Sequence, residues 1–79
     1  NKMSKVTIYT TPSCVYCKLA KEFFQKNKVE YEEKNVVTDA AARADMIKKS
    51  GQMGVPVIEI GDKIIVGFDQ PAILEALGL

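Results

Sequence analysis

The chain has 79 residues, with eleven basic residues against ten acidic ones for a formal charge of +1, and 47% of its residues are hydrophobic. That length sets one small domain, near the lower limit of what folds without staples. The balanced charge excludes a general electrostatic partner such as nucleic acid or a membrane surface.

No apolar stretch approaches the roughly 18 residues of a transmembrane helix, and no signal-peptide pattern is present. Two cysteines are too few for a secreted disulfide scaffold. Together these point to a soluble, cytoplasmic domain spanning residues 3–79. Asn1 and Lys2 stand before Met3 and read as a remnant left from expression.

In chain order, Lys5 to Tyr9 alternates, with Val6 and Ile8 on one face, and predicts a strand. Thr10-Thr11-Pro12-Ser13 is a turn, since Pro12 holds Thr11 in extended geometry. A helix follows from Val15 to Asn27, capped by Ser13 or Cys14, with Tyr16, Leu19, Ala20, Phe23 and Phe24 as its apolar stripe. A second strand lies within Val29–Val36, centred on Tyr31. Thr38 or Asp39 caps a second helix over Ala40–Ser50, and Gly51 stops it.

Val57–Ile60, the two-residue loop Gly61-Asp62 and Lys63–Val66 form the clearest hairpin in the sequence. Asp69 fits the N-cap of a last helix, with Pro71 in its first turn, Ile73, Leu74 and Leu77 on its buried face and Gly78 at its end. The order is β-α-β-α-β-β-α. A β-α-β unit favours parallel pairing through a right-handed crossover, whereas the hairpin is antiparallel. The fold class is therefore α/β, a four-stranded mixed sheet with three helices.

Both cysteines lie in Cys14-Val15-Tyr16-Cys17, at the turn from the first strand into the first helix. A C-x-x-C in this setting reads as a dithiol redox site. Residues i and i+3 of a helix have Cβ atoms about 5–6 Å apart. A disulfide needs roughly 3.5–4.5 Å, so a slight tightening of the turn closes the bridge. Cys14, at the helix N-terminus, meets unpaired N–H groups and the positive end of the dipole. Such a thiol commonly ionises below the free value of about 8.5. Lys18 and Lys21 add positive charge one and two turns away.

Cys17, inside the first turn, is the less exposed of the two. Cys14 is therefore expected to attack a substrate disulfide, and Cys17 to resolve the mixed disulfide. The competing reading makes both cysteines small core hydrophobes. A zinc site is disfavoured, because the chain has no histidine and offers two soft ligands where four are usual.

Pro56 precedes a strand, and as a strand-start marker it removes a ladder donor at little cost. The other reading is a cis Val55-Pro56 peptide, a form seldom found except before proline. Facing the cysteines, it can present the Val55 backbone to an extended thiol ligand.

Taken together, Thr10–Lys18 around the two cysteines, Gly54-Val55-Pro56-Val57-Ile58-Glu59-Ile60 and Gly67-Phe68-Asp69 resemble a glutaredoxin, in order and with family-like spacing from Val6 to Leu77. The resemblance implies a thioredoxin-like fold, a cis Pro56, and reduction of protein disulfides and glutathione mixed disulfides by a monomer. It implies no tightly bound cofactor and glutathione as cosubstrate. Its glutathione contacts fall on Thr11, Tyr16, Val55, Pro56, Phe68 and Asp69, and on Arg43 for the glycine carboxylate. Arg43 reads equally well as part of a solvated helix face.

The chain departs from the family pattern at several points. Thr11 stands where many glutaredoxins carry lysine or arginine, and Gly54 where they carry threonine. Val66-Gly67-Phe68-Asp69-Gln70 keeps one glycine and one acid of the usual run. Val15 replaces proline, as in glutaredoxin-like proteins that donate electrons to ribonucleotide reductase and draw on thioredoxin reductase. A hydrogen donor of that kind is the second expectation. A glutathione-assisted carrier of an iron–sulfur cluster, two chains ligating it through Cys14, is the third.

Overall fold

The computed structural model describes residues 5–79; the reading of Asn1 and Lys2 as a remnant falls outside them. The elements are β1 (Val6–Thr10), α1 (Val15–Lys26), β2 (Glu32–Asn35), α2 (Ala40–Ser50), β3 (Val57–Ile60), β4 (Lys63–Val66) and α3 (Gln70–Leu77). They build the expected four-stranded mixed sheet, in the order β2-β1-β3-β4. β1 runs parallel to β2, with Thr10 beside Asn35, and antiparallel to β3, with Tyr9 beside Val57. The hairpin pairs Ile60 with Lys63, so its loop is Gly61-Asp62. Gly61 has φ +60°, the left-handed conformation that such tight loops ask of their first residue.

Every residue of β1 is buried, because the strand is central and covered on both faces. Alternation then sorts its side chains. Val6 and Ile8 pack with Ala20 and Phe24 of α1, Ile58, Ile60 and Ile65 of the hairpin, and Ile73 of α3. Tyr9 turns to the other face, with Val36, Val57 and the α2 residues Ala42 and Met46. The buried Tyr9 hydroxyl accepts a hydrogen bond from Lys49 Nζ at 3.4 Å, and the same ammonium donates to Glu59 at 2.9 Å. One lysine thereby satisfies a core phenol and ties α2 to β3. The bond to Glu59 is the main reason the Lys49 ammonium holds its proton above the ordinary lysine range.

Local signals placed the helix ends. Asp39 caps α2, accepting from Ala42 N–H at 3.0 Å, and Gly51 closes it in the left-handed region. Asp69 caps α3 in the same way through Ala72 N–H, and Gly78 ends it.

Three expectations are corrected. The first strand runs one residue later than predicted, over Val6–Thr10 rather than Lys5–Tyr9. The second strand begins at Glu32 and so excludes Tyr31. Lys28, at φ +58°, reverses the chain after α1, and Tyr31 uses its ring on Phe24, 5.5 Å between centroids, instead of joining the sheet. β2 itself is a charged edge strand, a composition that discourages further strand pairing.

The buried stripe of α1 is the third correction. Cys17, Ala20 and Phe24 point inward, while Tyr16 is 63% exposed and Leu19 39% exposed. At 100° per residue, position 16 lies on the flank of a face centred on 17, 20 and 24, and position 19 lies further round, toward the opposite side. In α3, Ile73 is fully buried, and Leu74 and Leu77 are half-buried at the margin.

Candidate functional site

The strand register decides what meets around the cysteines. Thr10 ends β1 beside Asn35, the last residue of β2, and Val57, the first residue of β3, lies beside Val66 at the end of β4. The loops leaving one edge of the sheet are therefore Thr11–Cys14, Val36–Asp39, the approach to Pro56, and Gly67–Asp69. All three helices begin at this edge.

Cys14 is the N-cap of α1, with extended backbone at φ −89° and ψ 112°. Its carbonyl accepts the first helical bond from Lys18 N–H at 3.2 Å, and its own N–H donates to Thr11 O at 3.4 Å. The Cys14 Sγ accepts from Cys17 N–H at 3.0 Å, the bond that a serine or aspartate side chain makes in an ordinary cap. The two sulfurs are joined, with Cα atoms 5.2 Å apart. The pair is asymmetric: Cys17 is 1% exposed, whereas Cys14 is half-buried at the surface.

The three helix starts differ in a way that matters for charge. α2 and α3 have aspartate N-caps, so a carboxylate already faces their positive ends. α1 has no acidic residue in its first turn, and a sulfur is its cap. The dipole and the Cys17 N–H are thus free to stabilise a Cys14 thiolate when the bridge is reduced.

Val55-Pro56 is cis, as the resemblance implied; Pro56 also stands directly before β3, so its position at a strand start holds as well. Pro56 is buried, and its carbonyl accepts from Gly67 N–H at 2.8 Å, which fastens this segment to the turn that begins α3. Gly67 adopts φ +86°, a conformation that side-chain-bearing residues rarely take.

The remaining predicted residues lie on these same loops and helix starts. Thr11 is half-buried and contributes its carbonyl to the Cys14 turn. Tyr16 stands exposed between the cysteines. Arg43 sits on exposed α2, yet its Nη1 donates to Val36 O at 2.9 Å, so the guanidinium folds back to the end of β2. Phe68 packs edge-on against Phe23 at 5.8 Å, which leaves its backbone rather than its ring for a ligand. Asp69 is exposed, with one carboxylate oxygen committed to Ala72 N–H.

A polar cluster joining the end of β1 to β2 and α1 had no single-segment signal. Thr10, 1% exposed, donates its hydroxyl to Glu33 Oε2 at 2.7 Å, and Lys21 Nζ donates to the same oxygen at 2.9 Å. The Thr10 hydroxyl first, and Lys21 second, hold the Glu33 carboxyl below the ordinary carboxylate range against the opposing effect of burial. Sequence reasoning noted Lys21 as a positive charge but not the acid that answers it.

A groove of about 740 Å³ lies between the chain reversal after α1 and the end of α3, lined by Asn27, Lys28, Tyr31 and Leu77 among others. It is at the far end of α1 from Cys14 and contains no cysteine. Among the described residues, no three His, Cys, Asp or Glu side chains gather as a metal site.

A family model for glutaredoxin matches residues 6–65. A glutaredoxin-like 8.6 kDa protein of the rubredoxin operon of Clostridium pasteurianum is 41% identical over 68 residues, 86% of this chain and 91% of that one. Glutaredoxin 3 of Escherichia coli is 40% identical over 76 residues, 96% of this chain and 92% of its own. The solved structure of the glutaredoxin-like protein NrdH-redoxin from Escherichia coli, described as having a thioredoxin-like activity profile, superposes with a TM-score of 0.80 at 30% identity, covering 90% of this chain and 92% of that one. By its matched motif, its relatives and its paired cysteines, this chain belongs to the glutaredoxin family of thiol-disulfide oxidoreductases.

Proposed function

We propose that the protein reduces protein disulfides and glutathione mixed disulfides, with Cys14 as the attacking thiolate, Cys17 as the resolving thiol and glutathione as cosubstrate. The observation that carries this reading is the asymmetry of the pair: an accessible sulfur caps a helix that has no acidic cap, and its partner is buried one turn inside.

In the first step the Cys14 thiolate attacks one sulfur of the substrate disulfide. The substrate S–S bond breaks, a Cys14 mixed disulfide forms, and the departing thiolate takes a proton from solvent. With a protein disulfide, Cys17 loses its proton and attacks the Cys14 sulfur, releasing the second substrate thiol and leaving the Cys14–Cys17 bridge. With a glutathione mixed disulfide, a second glutathione thiolate attacks the Cys14-bound glutathione and departs as oxidised glutathione. Two glutathione molecules likewise return the bridged protein to the dithiol, so electrons balance in both routes.

For glutathione itself, the Val55 backbone beside cis Pro56 is the edge onto which an extended peptide can pair. The Phe68 backbone and the Asp69 carboxylate at the start of α3 suit the γ-glutamyl group with its ammonium. Arg43 suits the glycine carboxylate, with guanidinium donors beyond the one on Val36 O. Thr11 and Tyr16 flank the sulfur.

A second reading has its own support. Thr11 supplies no cation, the Arg43 guanidinium is partly engaged, and the likeness to NrdH-redoxin extends over nine-tenths of the chain. On that reading a flavoprotein thioredoxin reductase recycles the bridge. The two are separated by offering each reductant alone with a disulfide substrate. Sustained turnover with glutathione and its own reductase is the expected outcome. Turnover with thioredoxin reductase but not with glutathione would replace the first reading by the second.

A further inference from the structure

We infer that Glu33 and Lys21 form a charge-compensating pair that sets the ionisation of the Cys14 thiol, Glu33 holding in check an ammonium that otherwise stabilises the thiolate. Glu33 and Lys21 are positioning residues here, acting on the sulfur through the local field. The inference rests on the reading of Cys14 as the reacting thiol.

Lys21 is four residues after Cys17, on the same face of α1. Side chains on a helix lean toward its N-terminus, so the Lys21 chain leans toward the turn of Cys17, one turn short of Cys14. Glu33 is paired with Ile8 in the parallel register, two residues before the end of β1. The buried Thr10 hydroxyl anchors its Oε2 at 2.7 Å, and Lys21 Nζ binds that same oxygen at 2.9 Å. Both side chains are partly shielded, Lys21 at 29% and Glu33 at 38% exposed, so screening by water is incomplete.

The strand therefore holds a carboxylate against the one α1 cation that lies on the cysteine-bearing face below Cys17. Removing either member leaves the other uncompensated about two helical turns along α1 from Cys14. The two removals must act on a nearby thiolate with opposite sign. The other charges at this edge, Lys18 on α1, Lys34 on β2, Asp39 and Arg43 on α2 and Asp69 on α3, are common to every variant compared.

The test is the pH dependence of iodoacetamide alkylation of the reduced full chain, with the modified cysteine located by mass spectrometry. Alkylation reads thiol ionisation without turnover, so a failure of the proposed reductase activity and a failure of this coupling are separate results. Glu33→Gln is expected to raise the Cys14 thiolate-to-thiol ratio at a fixed pH about twofold, Lys21→Met to lower it by a similar factor, and the double variant to return close to wild type, as for a charge roughly two helical turns away in a largely aqueous surrounding. Shifts of the same sign in both single variants, or no shift in either, would overturn the inference, since loss of a merely structural contact has no reason to change sign. If Glu33→Gln fails to fold, Lys21→Met against Lys21→Arg decides. Restoration of the wild-type midpoint by arginine supports the pair, and a methionine variant indistinguishable from wild type overturns it.

Discussion

Cys14→Ser is expected to lower turnover on a glutathionylated thiol by about 10³-fold or more, because the other thiol at the helix start, Cys17, is buried and does not reach an incoming substrate. Cys17→Ser is expected to behave differently with the two substrates. Deglutathionylation needs one thiolate on the enzyme, since external glutathione completes the cycle, and should persist. Reduction of a protein disulfide requires a second thiol to release the trapped partner, and should stop at the mixed disulfide. The structural basis is the burial of Cys17, which is 1% exposed and can reach Cys14, to which it is bridged, but not an incoming protein. Parallel assays with a glutathionylated peptide and a protein disulfide check both results. Undiminished activity of the Cys14 variant on either substrate would defeat the assignment of the nucleophile.

Phe24→Ala is expected to be the most damaging single change to stability. The ring is fully buried in the cluster between β1, α1 and α3, with Tyr31 at 5.5 Å and Phe23 at 6.2 Å on its flanks. Replacing a buried phenylalanine by alanine costs about 3–5 kcal/mol through lost burial and the cavity left behind. A domain of this size holds on the order of 4–12 kcal/mol in total. The variant should therefore lose a large share of its stability, seen as a lower urea midpoint at similar slope. Val37→Ala, at a 61% exposed loop position, is the matched control and should shift stability by no more than about 0.5 kcal/mol. Equal midpoints for the two variants would mean that the α1–sheet core is not where the fold is held.

What could be read from the sequence was what single segments determine. The C-x-x-C turn, the Gly61-Asp62 hairpin and the Asp39 and Asp69 caps each depend on a handful of neighbouring residues, and each stands where the pattern put it. What depended on other elements did not come through. Tyr31 has the composition of a strand residue, but it leaves the sheet because Phe24, seven positions earlier, offers its ring a partner. Tyr16 and Leu19 look like members of an apolar stripe, yet the centre of the buried face is set by where β1 lies, and that favours Cys17.

The Thr10–Glu33–Lys21 cluster is the fullest case. Its three residues come from β1, β2 and α1, 11 to 23 positions apart, and only the parallel register brings them together. No periodicity marks Glu33, one of three acids in the run Glu30-Tyr31-Glu32-Glu33. Pro56 lies between these cases. The residue itself was an obvious marker, but an X-Pro bond favours trans by only about 0.5–1 kcal/mol, so local sequence does not choose the isomer. The family resemblance did, and the peptide is cis.

On the proposed function, the start of α1 makes Cys14, and not Cys17, the reactive thiolate. This is tested most directly by alkylating the reduced wild-type protein with limiting iodoacetamide across a pH series and mapping the modified residue. Label is expected at Cys14 first, with a midpoint below the free-thiol value of about 8.5, and Cys17 protected. Label at Cys17 first, or a Cys14 midpoint at or above that of a free thiol, would contradict it.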